Sequence, residues 1–395
     1  MKVVDMHCDT LLSLLDNNES IYENNCSVDL CKMLKGDYLL QTFACFVDYQ
    51  HDEPLDRCMR LIDKYYEQID RHQDIIGHVN NYQDILDNIK IGRMSSLLSI
   101  EEGQVINNDL AILRNYYRLG VRMITLCWNY PNGIGYPNMD ISDTSFNGLK
   151  RVDDQNGLTS FGIEYIKEME KLGMIIDVSH LSDKGFYDVY DHTSKPFVAS
   201  HSNARSVCSV ARNLTDDMIL KIAQRKGVIG INFCGDFLRD SENGGMASMV
   251  DDMVKHIKYI DDIAGIDCIG LGTDFDGISS ELEIKDASYM QELAKRQGVI
   301  GINFCGDFLR DSENGGMASM IDDMVKHIKY IDDIAGIDCI GLGTDFDGIS
   351  SELEIKDASY MSLLANRLKE EGFDDEKIAK IFYKNVLRVL ENVLK

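Results

Sequence analysis

Val3-Val4-Asp5-Met6-His7-Cys8-Asp9 is an apolar run of strand length that ends in metal-type side chains. Strand residues two apart point the same way, so His7 and Asp9 share one face while Met6 and Cys8 share the other. The same design recurs in residues 94–101, 174–180, 197–201 and 268–274, which end at Glu101, His180, His201 and Asp274. Each is a short apolar run, then His, Asp or Glu, then a small or turn residue. Several strands that each end in a ligand-type residue are what a parallel barrel needs to gather a site at its C-terminal mouth. The pattern predicts a metal-dependent hydrolase.

Working outward, strand candidates fall at 3–9, 38–47, 94–100, 121–128, 174–179, 197–200, 227–233 and 268–273. Helical patterns at 55–71, 110–119, 162–172, 215–225 and 249–264 separate most of them. Alternating strands and helices imply βαβ units and a parallel sheet, and eight strands match a closed (β/α)8 TIM-type barrel. A C-terminal helical segment follows. The expected organisation is a single barrel domain over residues 1–395.

One feature complicates this count. Residues 227–290 recur at 298–361 with an offset of 71 and a single change, Val250 to Ile321. Solenoid repeats show loose similarity over several copies, and nothing in residues 1–220 shares this period. The repeat is a near-exact duplication, and one unit of about 71 residues is expected to be surplus to the barrel. Folding in order during synthesis favours the first copy. The C-terminal segment, however, continues only the second copy. An extruded first copy would break the chain in a loop at the bottom of the barrel, where insertions are tolerated. The balance leans to the second copy in the barrel.

The strand ends divide into two half-sites. His7 and Asp9 offer an imidazole and a carboxylate to one cation. His180 and His201, both flanked by serine, offer two imidazoles to a second. Glu101 suits the bridge, because each oxygen of a carboxylate can bind one ion and its charge offsets their repulsion. Glu102, beside it, is the weaker candidate. Asp274, or its copy Asp345 in the second Gly-Thr-Asp-Phe-Asp-Gly, is placed to shuttle the proton of a metal-activated water. The remaining histidines, His51, His72, His78, His192, His256 and His327, read as surface residues.

Composition bounds the partners. The chain has 395 residues, 44% of them hydrophobic, with 40 Lys plus Arg against 66 Asp plus Glu and a net charge of −26. An acidic surface repels phosphate backbones and anionic lipid, which argues against nucleic acid and membrane partners. The first strand begins at Val3, so no secretory leader is expected, and no apolar run reaches the length of a bilayer span. Eleven scattered cysteines, with no Cys-x-x-Cys pair, read as core thiols in a reducing cytoplasm. The sequence leaves the oligomeric state open, a homo-oligomer included.

Taken together, Asp5-Met6-His7-Cys8-Asp9-Thr10, Ser99-Ile100-Glu101-Glu102-Gly103, Asp177-Val178-Ser179-His180, Ser200-His201-Ser202-Asn203-Ala204, Arg212-Asn213-Leu214 and Gly-Thr-Asp-Phe-Asp-Gly are a specific set. With them the chain resembles the membrane (renal) dipeptidases, peptidase family M19 of the amidohydrolase superfamily, in a bacterial-type form. The resemblance implies a (β/α)8 barrel holding two Zn2+. One would be held by His7 and Asp9 and the other by His180 and His201, with Glu101 bridging. It implies a dipeptide substrate, a metal-bridging hydroxide as nucleophile, Asp345 or Asp274 in proton transfer, and Arg212 gripping the substrate carboxylate. Trp128 and Asn129 fall where the animal enzymes carry a substrate-polarising histidine. The usual Glu-Gly-Gly stands here as Glu101-Glu102-Gly103. Two rivals remain at this point: another amidohydrolase reaction, on an N-acyl amino acid or a lactone, and an inactive chain whose duplication disrupts the barrel.

Overall fold

A computed structural model describes residues 2–139, 148–241, 245–278, 281–290, 300–302, 320–335, 337, 340–342, 354–356 and 358–384. The chain divides into two compact units, residues 2–291 and 292–395.

The first unit is built on β1 (Val3–Asp5), β2 (Tyr38–Phe46), β3 (Ile76–His78), β4 (Met94–Glu101), β5 (Val121–Thr125), β6 (Ile175–Asp177), β7 (Ile229–Ile231) and β8 (Ile269–Leu271). The strands pair in the order β6-β5-β4-β2-β1-β8-β7, all parallel. Residues 197–200, expected as a strand, close the ring as single-pair parallel bridges, Asp177 to Val198 and Ala199 to Ile229. The ring therefore has the eight staves of a (β/α)8 barrel. β3, absent from the sequence reading, lies outside it and pairs only with the first half of β4. Close approach at the closing stave needs a glycine: a Cβ on Gly230 would sit 1.9 Å from the Ser200 carbonyl oxygen.

Helices cover the outside of the ring. Pro54–Arg71 starts with proline at its first turn, where the missing N–H costs nothing. It buries Cys58, Leu61, Ile62, Tyr65 and Ile69, one face at helical spacing. Each large apolar side chain buried this way contributes about 1.5–3 kcal/mol. Thr159, Ser182 and Thr215 cap the helices Ser160–Leu172, Asp183–His192 and Asp216–Gln224 by accepting from backbone N–H groups. Several polar side chains on the staves or just beyond them are buried, among them Asp5, Gln41, Ser99, Asp177, Ser200 and Thr273.

The lean toward the second copy is corrected here: the first copy supplies β7 and β8. Both are tied to distant staves, Ile229 to Ala199 and Leu271 to Asp5. The first copy follows the 197–200 stave at once, so its pairing closes the shorter loop.

The second unit carries the other copy. β9 (Ile300–Ile302) and β10 (Ile340–Leu342) pair in parallel in the register of β7 and β8. Helix Ile321–Ala335 matches Val250–Ala264. Its first turn is capped by Glu354 as the earlier one is by Glu283. The core of this unit joins Met324, Ile328 and Ile340 to Leu364, Leu368, Phe373 and Ile381. The C-terminal helices thus pack on the second copy, as its continuous sequence implies.

Candidate metal centre

Every strand-end residue singled out in residues 1–290 arrives at one mouth, because all staves run parallel. Glu101 is the last residue of β4, and His7 and Asp9 follow β1. His180 and Asp274 each lie three residues beyond β6 and β8, and His201 follows the closing stave. His7 Nε2 is 3.0 Å from Glu101 Oε2 and 3.5 Å from Asp9 Oδ2. On the other side, Glu101 Oε1 is 3.0 Å from His180 Nε2 and 3.7 Å from His201 Nε2. The two oxygens of Glu101 therefore serve two different half-sites, as the strand reading requires. Asp274 Oδ1 stands 3.9 Å from His7 Nε2. Asp345 lies outside the described residues.

The donor set fits divalent cations. His7, Asp9 and Glu101 form one buried triple, and Glu101, His180 and His201 form another. His7 Nδ1 and Asp9 Oδ1 are buried with no hydrogen-bond partner among the described residues. The tautomers of the other two histidines are set from behind. His180 Nδ1 donates to Asn129 Oδ1 at 2.8 Å. His201 Nδ1 donates to Ser200 Oγ at 2.8 Å, and that hydroxyl donates to Asp177 Oδ2 at 2.6 Å. Both Nε2 lone pairs are then free to bind metal.

Burial and charge act together here. Burial pulls His180 down to about 4, and Arg212 adds to the shift. Burial likewise holds His201 well below its ordinary range, so both rings are neutral and suited to bind a metal. Burial would raise Glu101, but the positive charge of His7 holds it well below the carboxylate range. His7 goes the opposite way: Glu101 and Asp9 outweigh burial and raise it. Burial pushes Asp274 up to about 8, against the pull of His7. A carboxyl poised there can hold and release a proton near neutral pH.

Backbone strain collects at the same place. His180, Asp274 and Glu102 have φ of +71°, +60° and +100°, each costing on the order of 1–3 kcal/mol. Gly277 makes room for the acids: a Cβ there would meet Asp9 Oδ2 at 2.2 Å and Asp274 Oδ1 at 2.6 Å.

A cavity of about 330 Å3 opens over the centre, lined by Glu101, His180, Asp274, Arg212, Trp128 and Asn129 among others. Arg212 is buried, and its Nε and one terminal nitrogen have no partner among the described residues. Its guanidinium lies 5.5 Å from the Phe237 ring centre. Trp128 packs against Phe46, Tyr130 and His180.

Sequence reasoning missed the supports. Asp5 accepts from the backbone N–H and hydroxyl of Thr273, both at 2.9 Å, and so ties β1 to the Asp274 loop. Asp177 accepts from Thr125 Oγ1, Ser200 Oγ and two backbone N–H groups. Asn232 donates to Asp274 Oδ2 at 3.1 Å. Asp5 and Asp177 were visible as acids inside apolar runs, where an unpaired charge would be costly. His256 is a correction: it is fully buried, accepting from Ala204 N–H and donating to the Leu238 carbonyl.

A parallel barrel with paired histidine and carboxylate triples at its C-terminal mouth defines a metal-dependent hydrolase. The family model for membrane dipeptidase (peptidase family M19) matches residues 1–296 and 282–395, and the chain belongs to that family. The two matches overlap at the junction of the duplication. A Schizosaccharomyces pombe protein described as an uncharacterized dipeptidase is 34% identical over 298 residues, 70% of this chain and 69% of its own length. A Klebsiella pneumoniae protein from the pqqA 5′ region is 39% identical over 181 residues, 46% of this chain and 65% of its own. Among solved structures, a Rhodobacter sphaeroides metallopeptidase bound to a phosphinate mimic of L-Ala-D-Ala has the same fold. Its TM-score is 0.66 at 21% identity, covering 99% of both chains. A dipeptidase of family M19 has a TM-score of 0.63 at 20% identity, covering 99% of this chain and 98% of its own.

Proposed function

We propose that this chain is a dipeptidase using two zinc ions. The observation that carries this is the division of Glu101, with Oε2 toward His7 and Oε1 toward His180 and His201. His7, Asp9 and Glu101 would hold one ion, and Glu101, His180 and His201 the other. Mixed nitrogen and oxygen donors suit zinc. Bound there, the pair would lower the pKa of a water and polarise the scissile carbonyl.

The protein's own groups do the rest. Arg212 meets the free carboxylate of the substrate with its planar fork, which suits a bidentate contact. That anchor, in the lining of a small cavity, favours substrates of two residues. Asp274, held by Asn232, accepts the proton released on attack and passes it to the leaving amine. Trp128 and Phe46 form an apolar wall that limits water. Asn129 and Ser200 keep the two imidazoles in the ligand tautomer.

The copy not used by the barrel, residues 298–361, is surplus to catalysis on this reading. Buried thiols such as Cys8, Cys45 and Cys127 favour a reducing cytoplasm. The test measures bound zinc and turnover of Ala- and Gly-containing dipeptides in the natural chain and in Glu101→Ala. Two equivalents of zinc with turnover, both lost in the variant, are expected. Turnover of N-acyl amino acids or lactones but not dipeptides would replace the substrate class. Native turnover in Glu101→Ala would remove the bridge.

A further inference from the structure

Arg212 is mounted on an unusual support. Behind it lies a second guanidinium, Arg205, whose donors are used in a fixed pattern. Its Nε donates to the Asn213 carbonyl at 2.8 Å, and Nη2 donates to the Ala211 carbonyl at 2.8 Å. These are the carbonyls of the two residues that flank Arg212. The same guanidinium makes a bidentate pair with Asp183, with Nη1 to Oδ2 and Nη2 to Oδ1 both at 2.7 Å.

Asn138 extends the support toward the metal centre. Its side-chain amide donates to Asp183 Oδ1 at 2.5 Å and to the Ala211 carbonyl at 3.0 Å. Its backbone N–H donates to the His180 carbonyl at 2.7 Å. Asn138 is buried, and Arg205 and Asp183 keep side-chain exposures of only 16% and 12%. One connected set of bonds therefore runs from the backbone of a metal-site histidine to both sides of Arg212.

We infer that Arg205 is a positioning residue for substrate recognition: with Asp183 and Asn138 it sets where Arg212 stands relative to the metal centre. The inference rests on Arg212 as the carboxylate anchor. A flexible loop would let Arg212 follow substrates of different length. A loop pinned at both flanking carbonyls fixes the span between the carboxylate and the scissile bond. Lysine keeps the charge opposite Asp183 but lacks the fork that reaches two carbonyls. Arg205→Lys therefore separates the ion pair from the support.

The experiment compares a dipeptide with its C-terminal amide, which lacks the carboxylate, in the natural chain, Arg205→Lys and Arg212→Ala, with zinc content measured in each. Arg205→Lys should keep native zinc. It should lose about 10- to 100-fold in kcat/KM on the free acid, mainly through KM, since small misplacements of a positioning group cost that much. Turnover of the amide should stay within about two-fold, because the lost contact is absent there. Arg212→Ala should show the same selective loss. If Arg212→Ala is selective but Arg205→Lys lowers acid and amide together, or neither, Arg205 is only structural and the inference is overturned. If Arg212→Ala is not selective, the anchor itself is misassigned and the inference goes with it. Should Arg205→Lys not fold, Asp183→Asn removes the ion pair that holds the guanidinium while keeping its N–H donors. A selective loss on the free acid is again expected, and an equal effect on acid and amide, or none, overturns the inference.

Discussion

The Nε2 atoms of His180 and His201 face each other at 2.9 Å. Their Nδ1 atoms are committed to Asn129 and Ser200. Two neutral imidazoles in these tautomers point lone pair at lone pair, which is unfavourable unless a shared cation lies between them. On the two-zinc proposal, His201→Ala should therefore lose one of two equivalents while His7 and Asp9 retain the other. Elemental analysis after dialysis checks this; retention of both would mean that His201 is a packed core histidine. Activity on dipeptides should fall at least about 100-fold, beyond the usual effect of an outer support.

Ser200 gives a smaller, diagnostic effect. Its hydroxyl relays between His201 Nδ1 and the buried Asp177. Ser200→Ala leaves every ligand in place but removes the partner that orients His201. Zinc affinity should fall about 10- to 100-fold with the stoichiometry unchanged at saturation. Competition with a chelator of known affinity measures it. An unchanged affinity would show that Asp177 serves only the barrel interior.

Much of this site was visible before the fold. The candidate ligands stand where period-two strands end, so the residue pattern and the barrel mouth carry the same information. What escaped depended on long-range contact. Ile76-Gly77-His78 is too short, and too weakened by its glycine, to announce a strand, and it forms only by pairing with Met94–Ser96. His256 sits among charged helical residues, and only Ala204 and Leu238, distant in sequence, bury it. The choice between copies has no local signal at all. Both fold into the same strand pair in the same register, and among the described residues the first copy is set apart by long-range partners such as Ala199 and Asp5.

That choice makes a direct prediction. β8, which precedes Asp274, belongs to the ring, and the side chain stands beside His7. Asp274→Asn should therefore reduce kcat on dipeptides by about 10²- to 10⁴-fold, the usual worth of a general acid or base. Asp345→Asn should leave kcat unchanged. Steady-state kinetics on the two single variants and the double variant check it. Loss with Asp345→Asn alone would put the second copy in the barrel. Partial loss in each single variant, with full loss in the double, would mean that both threadings are populated.

Glu102 tests the electrostatics next to the bridge. Its carboxylate, held at φ +100°, accepts from the backbone N–H groups of Trp128 and Gln104 and from Asn132. Burial nonetheless pushes it up to about 7 from an ordinary 4.5. A group raised on folding contributes stability that is full below its unfolded pKa and is lost as pH climbs through the folded value. The natural chain should therefore lose melting temperature relative to Glu102→Gln between pH 4.5 and pH 8, with an upper bound of about 3 kcal/mol. The ligand carboxylates titrate in both proteins, and the difference reports Glu102 together with its repulsion from the adjacent Glu101. Melts of the two proteins across that range check it. A gap that stays constant would mean that the three donors outweigh burial and keep Glu102 ionised throughout. Glu102 would then stand as a fixed negative charge beside Glu101, adding to the attraction for cations.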